Sequence, residues 1–354
     1  MYMTNQSLYI HIPFCKSKCP YCDFYSLANA DLQEAYIDRC IELLPDETWR
    51  TAYIGGGTPS ALAPHLLARL LGAIKCGGEF TVECNPTSVT PEFCRVLAER
   101  AAVKEGGVNR VSLGLQSAIP QERRALGRAG GVDTVKRAVE MLGIENLSLD
   151  VMLGIPGQGA ESLTRTLEFC ASAGAKHVSA YLLKLEPGTP FAANPPPGLP
   201  DEDAQAALYF HACGWLEEHG YAQYEISNFC LPGYESRHNL NYWECGEYYA
   251  IGPGAHGFTA RRRWHYERDL EAFLRGEQPP CEGPPGPIDD GPGGDEEERA
   301  MLALRLAGGI ANPTQEMRRR AAGLAGYVIS DERGIRLTRE GFLLSNTIIG
   351  KLLF

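Results

Sequence analysis

The chain has 354 residues, a hydrophobic fraction of 44% and a formal net charge of −11 at pH 7. That length supports one large domain plus a smaller one around a substantial core. The acidic balance repels a phosphate-rich partner and argues against nucleic acid; the run Arg261-Arg262-Arg263 before Trp264 is too short to reverse it and reads as a solvated loop or strand face.

In chain order, β-rich runs at residues 8–12, 52–54, 80–83, 110–113, 147–151 and 177–181 alternate with helical patterns at 32–44, 61–74, 91–101, 132–142 and 161–173. Six strands separated by helical crossovers imply right-handed βαβ units and a parallel sheet, either open or a partial barrel, with ligands at the carboxyl ends of the strands. A helix at 203–218 and a strand-like run at 223–226 follow. Residues 278–295 (QPPCEGPPGPIDDGPGGD) read as a flexible, solvated linker. Beyond it, helices at 296–306 and 317–325, a strand at 335–337 and the segment 341–353 close a compact α/β tail. The expected division is 1–230, a connection at 231–277, the linker at 278–295 and a C-terminal domain at 296–354.

Twelve cysteines would suit a disulfide framework. However, Met1 to Ser7 is largely polar and no run of about 18 apolar residues offers a span. The expectation is therefore a cytoplasmic protein with reduced thiols, and nothing indicates membrane association. Cys40, Cys94, Cys170 and Cys213 fall in amphipathic helices and read as small core residues.

Cys15, Cys19 and Cys22 are different. They form a C-x3-C-x2-C pattern just after the first strand. Such spacing on a short loop can gather three thiolates around one [4Fe-4S] cube and leave one iron without a protein ligand. Two other readings stay open. A zinc site needs a fourth ligand, for which Asp23 and His11 are at hand although neither has zinc-knuckle spacing. Three free thiols in a loop broken by Pro20 are the third.

With its YIHIPFCKSKCPYCDFYS stretch, the chain resembles the radical S-adenosylmethionine (SAM) superfamily, over nearly its whole length from Tyr9. Within the superfamily it is similar to the branch holding oxygen-independent coproporphyrinogen III oxidases and heme chaperones. The resemblance implies a partial (β/α)6 barrel with a small winged-helix-like C-terminal α/β domain, and a [4Fe-4S] cluster with exchangeable SAM. It aligns Gly56, Gly57 and Thr58 of GGGTP with the contact to the methionine amino group, and Glu83 of TVECNP with the SAM ribose. Gln116, Arg128 and Asp150 align with further SAM contacts, and Tyr9 and Tyr21 with positions bordering the cofactor. On the residues themselves, the glycines allow close backbone approach, Thr58 can cap the next helix, and Arg128 can grip a carboxylate with two bonds. Where related chains commonly carry His soon after LGR, this one has Ala129-Gly130, which puts substrate-side contacts there in doubt.

Three features separate the branches. The oxidases carry a fourth cysteine two residues past the triad and an N-terminal extension; here that position is Phe24 and only Met1 to Phe14 precedes the triad. The segment His238-Asn239-Leu240-Asn241-Tyr242-Trp243 matches the HNxxYW motif associated with heme binding in the chaperones. An imidazole can ligate heme iron, and Tyr242 and Trp243 offer flat apolar faces; the plainer reading makes His238 a satisfied core histidine. His256 in GPGAHGF is a less specific second candidate. The leading expectation is a heme chaperone that transfers heme to an acceptor protein, with flavodoxin or ferredoxin as reductant. The alternatives are a radical SAM decarboxylase acting on a porphyrinogen and a zinc-stabilised interaction protein.

Overall fold

The computed structural model describes residues 6–103, 106–276 and 287–354. Six parallel strands, β1 (Ser7–Ile12), β2 (Thr51–Gly56), β3 (Phe80–Cys84), β4 (Arg110–Gln116), β5 (Leu147–Leu153) and β6 (His177–Leu182), lie side by side in that order. Because consecutive strands are neighbours, every crossover is short and the sheet curls as a partial barrel. The crossover helices are α1 (Gln33–Leu43), α2 (Pro64–Ala73), α3 (Pro91–Ala101), α4 (Val132–Leu142) and α5 (Ala160–Ser172).

The two-residue period of a strand sorts the side chains. Leu8, Ile10, Ala52, Ile54, Phe80, Val82, Val111, Leu113, Leu149, Val151 and Val178 are fully buried and join the helices in one continuous core. Helix α2 adds Leu66, Leu67, Leu70 and Leu71 to it, each contributing about 1.5–3 kcal/mol by leaving water. The alternate positions are polar: Tyr53, Glu83, Arg110, Ser112, Asp150, Ser179 and Tyr181 line a cavity of about 560 Å³. The barrel thus has an apolar outer layer and a polar inner wall.

The sheet grows at both edges to twelve strands. Beyond β6, helix α6 (Glu202–Glu218) leads to the short antiparallel strands β7 (Ala222–Gln223) and β8 (Asn228–Cys230). The strand expected at 223–226 is cut short because Glu225 instead bridges Leu306 of the tail. After helix α7 (Arg237–Trp243), β9 (Tyr248–Ile251) pairs parallel with β1 on the opposite edge. An antiparallel ribbon continues it through β10 (His256–Thr259), β11 (Arg262–His265) and β12 (Ile288–Pro292). Of the expected linker, residues 278–286 lie outside the described residues; Ile288–Pro292 is no solvated linker but an edge strand on β11. The arginine run is strand face as read, with Arg262 paired to Asp289 and Arg263 to Glu298 at 2.7 Å.

The tail carries helices Glu296–Ala303 and Gln315–Ala322, a hairpin Val328–Asp331/Gly334–Leu337, and helices Arg339–Leu343 and Ser345–Leu353. Ile335, Leu337, Phe342, Ile348 and Leu352 join the main core, and Arg339 pairs with Glu217 of α6 at 2.6 Å. Among the described residues, no helix is long and apolar enough to cross a membrane. The described cysteines are free thiols, with Cys40, Cys170 and Cys213 buried and Cys94 partly so.

Candidate cofactor site

Past the end of β1 the chain turns into the cysteine loop. Cys15 is anchored by its N–H on the Leu27 carbonyl (3.0 Å), and Cys22 N–H donates to the Cys19 carbonyl (3.1 Å). Pro20 locks the loop from outside: its carbonyl accepts from Phe191 N–H (3.0 Å), and its ring lies where a Cβ on Gly127 would fall, 2.9 Å away. Gly127 has φ +65°, so the LGR turn and the cysteine loop fit only because this residue lacks a side chain. All three cysteines line the cavity, and none is in a disulfide. Thr58 does not cap a helix with its hydroxyl as expected; its Oγ1 lies 3.1 Å from Cys15 Sγ, and only its carbonyl accepts from Ala61 N–H. Arg128 reaches Cys19 Sγ at 3.7 Å and donates from Nη2 to the Gly114 carbonyl at 2.7 Å. One N–H of each arm is thus engaged within the protein, and the other N–H groups remain for a ligand at the cavity.

The strand ends supply the rest. Gly56 has φ +102°, and a Cβ there would strike the His11 ring at 2.5 Å; on Gly57 it would strike the Ile12 and Phe14 carbonyls at 2.7 and 2.8 Å. The GGG turn lies flat on β1 for that reason. Gln116 closes β4 at φ +66°, an uncommon conformation for a residue with a side chain, and its strain sits at the cavity wall. Glu83 accepts the Tyr53 hydroxyl at 2.6 Å and Gly56 N–H at 3.1 Å. Burial raises its carboxyl from the usual 4.5 to about 7, against the lowering effect of the Tyr53 bond. Asp150, held by the Ser112 hydroxyl at 3.0 Å, is raised by burial too. Two carboxyl groups poised to accept hydroxyl or ammonium donors thus face one cavity.

Cys15, Cys19, Cys22, Tyr21, Gly56, Gly57, Thr58, Glu83, Gln116, Arg128 and Asp150 all line that cavity. Tyr9 does not. It stands behind the wall, giving its hydroxyl to His11 Nδ1 at 3.0 Å, while His11 Nε2–H donates to the Tyr25 carbonyl at 2.8 Å. Burial lowers His11 to about 4, so the ring is neutral and both nitrogens are used. The other fourth-ligand candidate, Asp23, pairs with Arg268 at 3.1 Å. Among the described residues neither brings a donor atom into a group with the thiols close enough for one zinc ion, so the donor set is three thiols, as a [4Fe-4S] cube with one open iron requires.

The HNxxYW segment lies elsewhere. Helix α7 closes the opposite end of the barrel, because His238 contacts Thr51, the first residue of β2, whereas the glycine turn follows its last. Thr51 gives its proton to Ser7 Oγ (2.8 Å), so His238 Nδ1–H donates to Thr51 Oγ1 (2.8 Å) and Nε2 accepts the Tyr242 hydroxyl (2.8 Å). The ring is fully buried and pushed by burial down to about 3. Of the two readings of His238 open from sequence, this structure shows the satisfied core histidine. Tyr242 and Trp243 are partly buried, with Arg305 5.8 Å over the Trp243 ring, and only Asn239 of the four lines the cavity. The helix N-terminus is held by buried Glu79, which accepts from Ser236 Oγ (3.2 Å), Arg237 N–H (2.9 Å) and His238 N–H (3.1 Å).

Sequence reasoning missed Tyr53, Arg110, Ser112, Ser179 and Tyr181. The signal was present. Polar residues recur at every second position of strands whose other positions are apolar, and that period marks a cavity wall.

The radical SAM superfamily model matches residues 9–170. The protein named heme chaperone HemW of Lactococcus lactis is 35% identical over 381 residues, covering 100% of this chain and 98% of the relative. The protein of the same name in Escherichia coli is 38% identical over 269 residues, covering 71% and 69%. The solved structure of coproporphyrinogen III oxidase (HemN) from Escherichia coli, a radical SAM enzyme, superposes with a TM-score of 0.79 at 19% identity, covering 99% of this chain and 91% of that one. The barrel, the three-thiol loop and the full-length likeness together place the chain in the radical SAM superfamily, in the family of the HemW proteins.

Proposed function

We propose that this chain binds heme and passes it to an acceptor protein, with a [4Fe-4S] cluster and SAM as resident cofactors of the barrel. The observation that carries the reading is the full-length likeness to relatives named heme chaperone HemW. Cys15, Cys19 and Cys22 hold the cluster. The Gly56-Gly57 backbone and Thr58 would hold the methionine end of SAM and Glu83 would accept from the ribose, with Gln116 and Asp150 lining the remaining wall. Arg128 stiffens the loop by tying Cys19 to Gly114. When bound, a cluster with an open iron chelates the amino and carboxylate groups of SAM and supplies single electrons.

Against the decarboxylase reading stands Phe24, 64% exposed at the cavity, where the oxidase branch has a thiol. Asn239 lines the cavity, whereas His238 Nε2 can ligate heme iron only in a state in which the His238–Tyr242 bond is broken. The test is a heme titration on anaerobically reconstituted protein. A Soret shift that His238→Ala weakens, with no product from coproporphyrinogen III, SAM and reductant, supports the proposal. Decarboxylated product, or no Soret change, overturns it.

A further inference from the structure

Away from the barrel cavity, the ribbon at the sheet edge gathers three metal-binding side chains. His256 on β10 and His265 on β11 are direct cross-strand partners, with ring centroids 5.2 Å apart and planes at 26°. The third donor depends on an irregularity. Arg263 faces Gly291 and Trp264 faces Asp289, so Asp290 is the extra residue of a bulge between β11 and β12. Bulges re-aim side chains, and this one puts the Asp290 carboxylate 2.8 and 2.9 Å from His265 Nδ1. One donor atom from each of the three residues lies within 4.8 Å of the others, the only such group among the described residues.

We propose that His256, His265 and Asp290 form a site for a divalent transition-metal ion of the zinc class, which fastens edge strand β12 to the sheet. Two imidazoles and one carboxylate are a donor set such ions accept, with remaining positions filled by water. His265 Nδ1 and the carboxylate sit at hydrogen-bond distance, and an ion that displaces the proton between them would need them to part only to roughly 3.4 Å, the separation of two tetrahedral ligands each about 2.1 Å from a shared metal. A simple His–Asp pair would need only His265 and Asp290; the register of β10 adds His256 to them. Arg268, also near His256, is neutralised by Asp23, and Arg263 by Glu298. The ion would tie the tail to the barrel, because β12 leads directly into helix Glu296–Ala303.

The test is calorimetric titration of Zn2+ into anaerobic protein whose cysteine loop already carries its cluster, followed by zinc X-ray absorption. The expected result is about one equivalent of zinc with a nitrogen/oxygen shell at roughly 2.0–2.1 Å and imidazole scattering. Binding should weaken by at least about tenfold in both His265→Ala and Asp290→Asn, and persist in His219→Ala, which changes an exposed histidine elsewhere. Asp290→Asn keeps the side-chain shape, so a folding defect in the alanine variant does not decide the matter. Absence of zinc binding, binding indifferent to both substitutions, or a sulfur shell at about 2.3 Å overturns the proposal.

Discussion

Replacing Glu83 by Gln removes a buried charge while keeping its shape. Burial raises this carboxyl from 4.5 to about 7, so between those values the folded, ligand-free protein holds a proton that the unfolded chain has lost. The folded state binds more protons there, and stability falls as pH rises across the window. At about 1.4 kcal/mol per pH unit the full penalty above pH 7 is roughly 3.5 kcal/mol. Glu83 keeps some contact with solvent in the cavity, which screens part of that, so about half is expected. Glu83→Gln should therefore be more stable than the parent by roughly 1–2 kcal/mol near pH 8, with the gain fading below about pH 5. Urea unfolding under nitrogen at both ends of the window measures it. A difference that does not vary with pH, or a variant less stable than the parent near pH 8, refutes the reasoning. On the proposed Glu83–ribose contact, SAM should also bind the same variant more weakly, since a hydroxyl would lose a charged acceptor.

Other outcomes follow from the same geometry. Glu79→Ala strips the buried N-terminus of α7 of its acceptor and leaves the Arg237 and His238 N–H groups unsatisfied; a loss of about 3 kcal/mol in chemical denaturation is expected, and Glu79→Gln should recover part of it. Gly57→Ala drives a Cβ into the carbonyls of Ile12 and Phe14 and should displace the cysteine loop, read as a lower iron content after reconstitution. Tyr242→Phe frees His238 Nε2. If His238 ligates heme, spectroscopic titration should show binding tighter by up to about tenfold, since breaking one hydrogen bond costs about 0.5–1.5 kcal/mol; unchanged affinity points to a ligand elsewhere.

The barrel was legible because its signals are local. Helix α3 matches its expected bounds since Thr90 caps it by accepting from Phe93 N–H and Pro91 occupies its first turn. Helix α4 stops at Gly143, which takes φ +55° at its end. The cysteine loop and the strand-end residues were legible through spacing and family likeness. The edge ribbon was not. Ile288–Pro292 reads as a linker because its composition is that of a turn, and its strand state comes from pairing with β11. Where Tyr9 stands, and which of the two readings of His238 this structure shows, was undecided in the sequence for a related reason. A polar aromatic beside a ligand site and one sealed in a core have the same sequence, and only Thr51, Ser7 and Tyr242 reveal that His238 is sealed.

The account rests on the three thiols holding a cube with one open iron. Protein reconstituted with iron and sulfide under nitrogen, then studied by Mössbauer spectroscopy with and without SAM, tests this most directly. The prediction is a [4Fe-4S] spectrum in which one iron changes its parameters on adding SAM, lost when Cys15, Cys19 or Cys22 becomes Ala. A protein that takes up no cluster, or a cluster whose four irons ignore SAM, contradicts it.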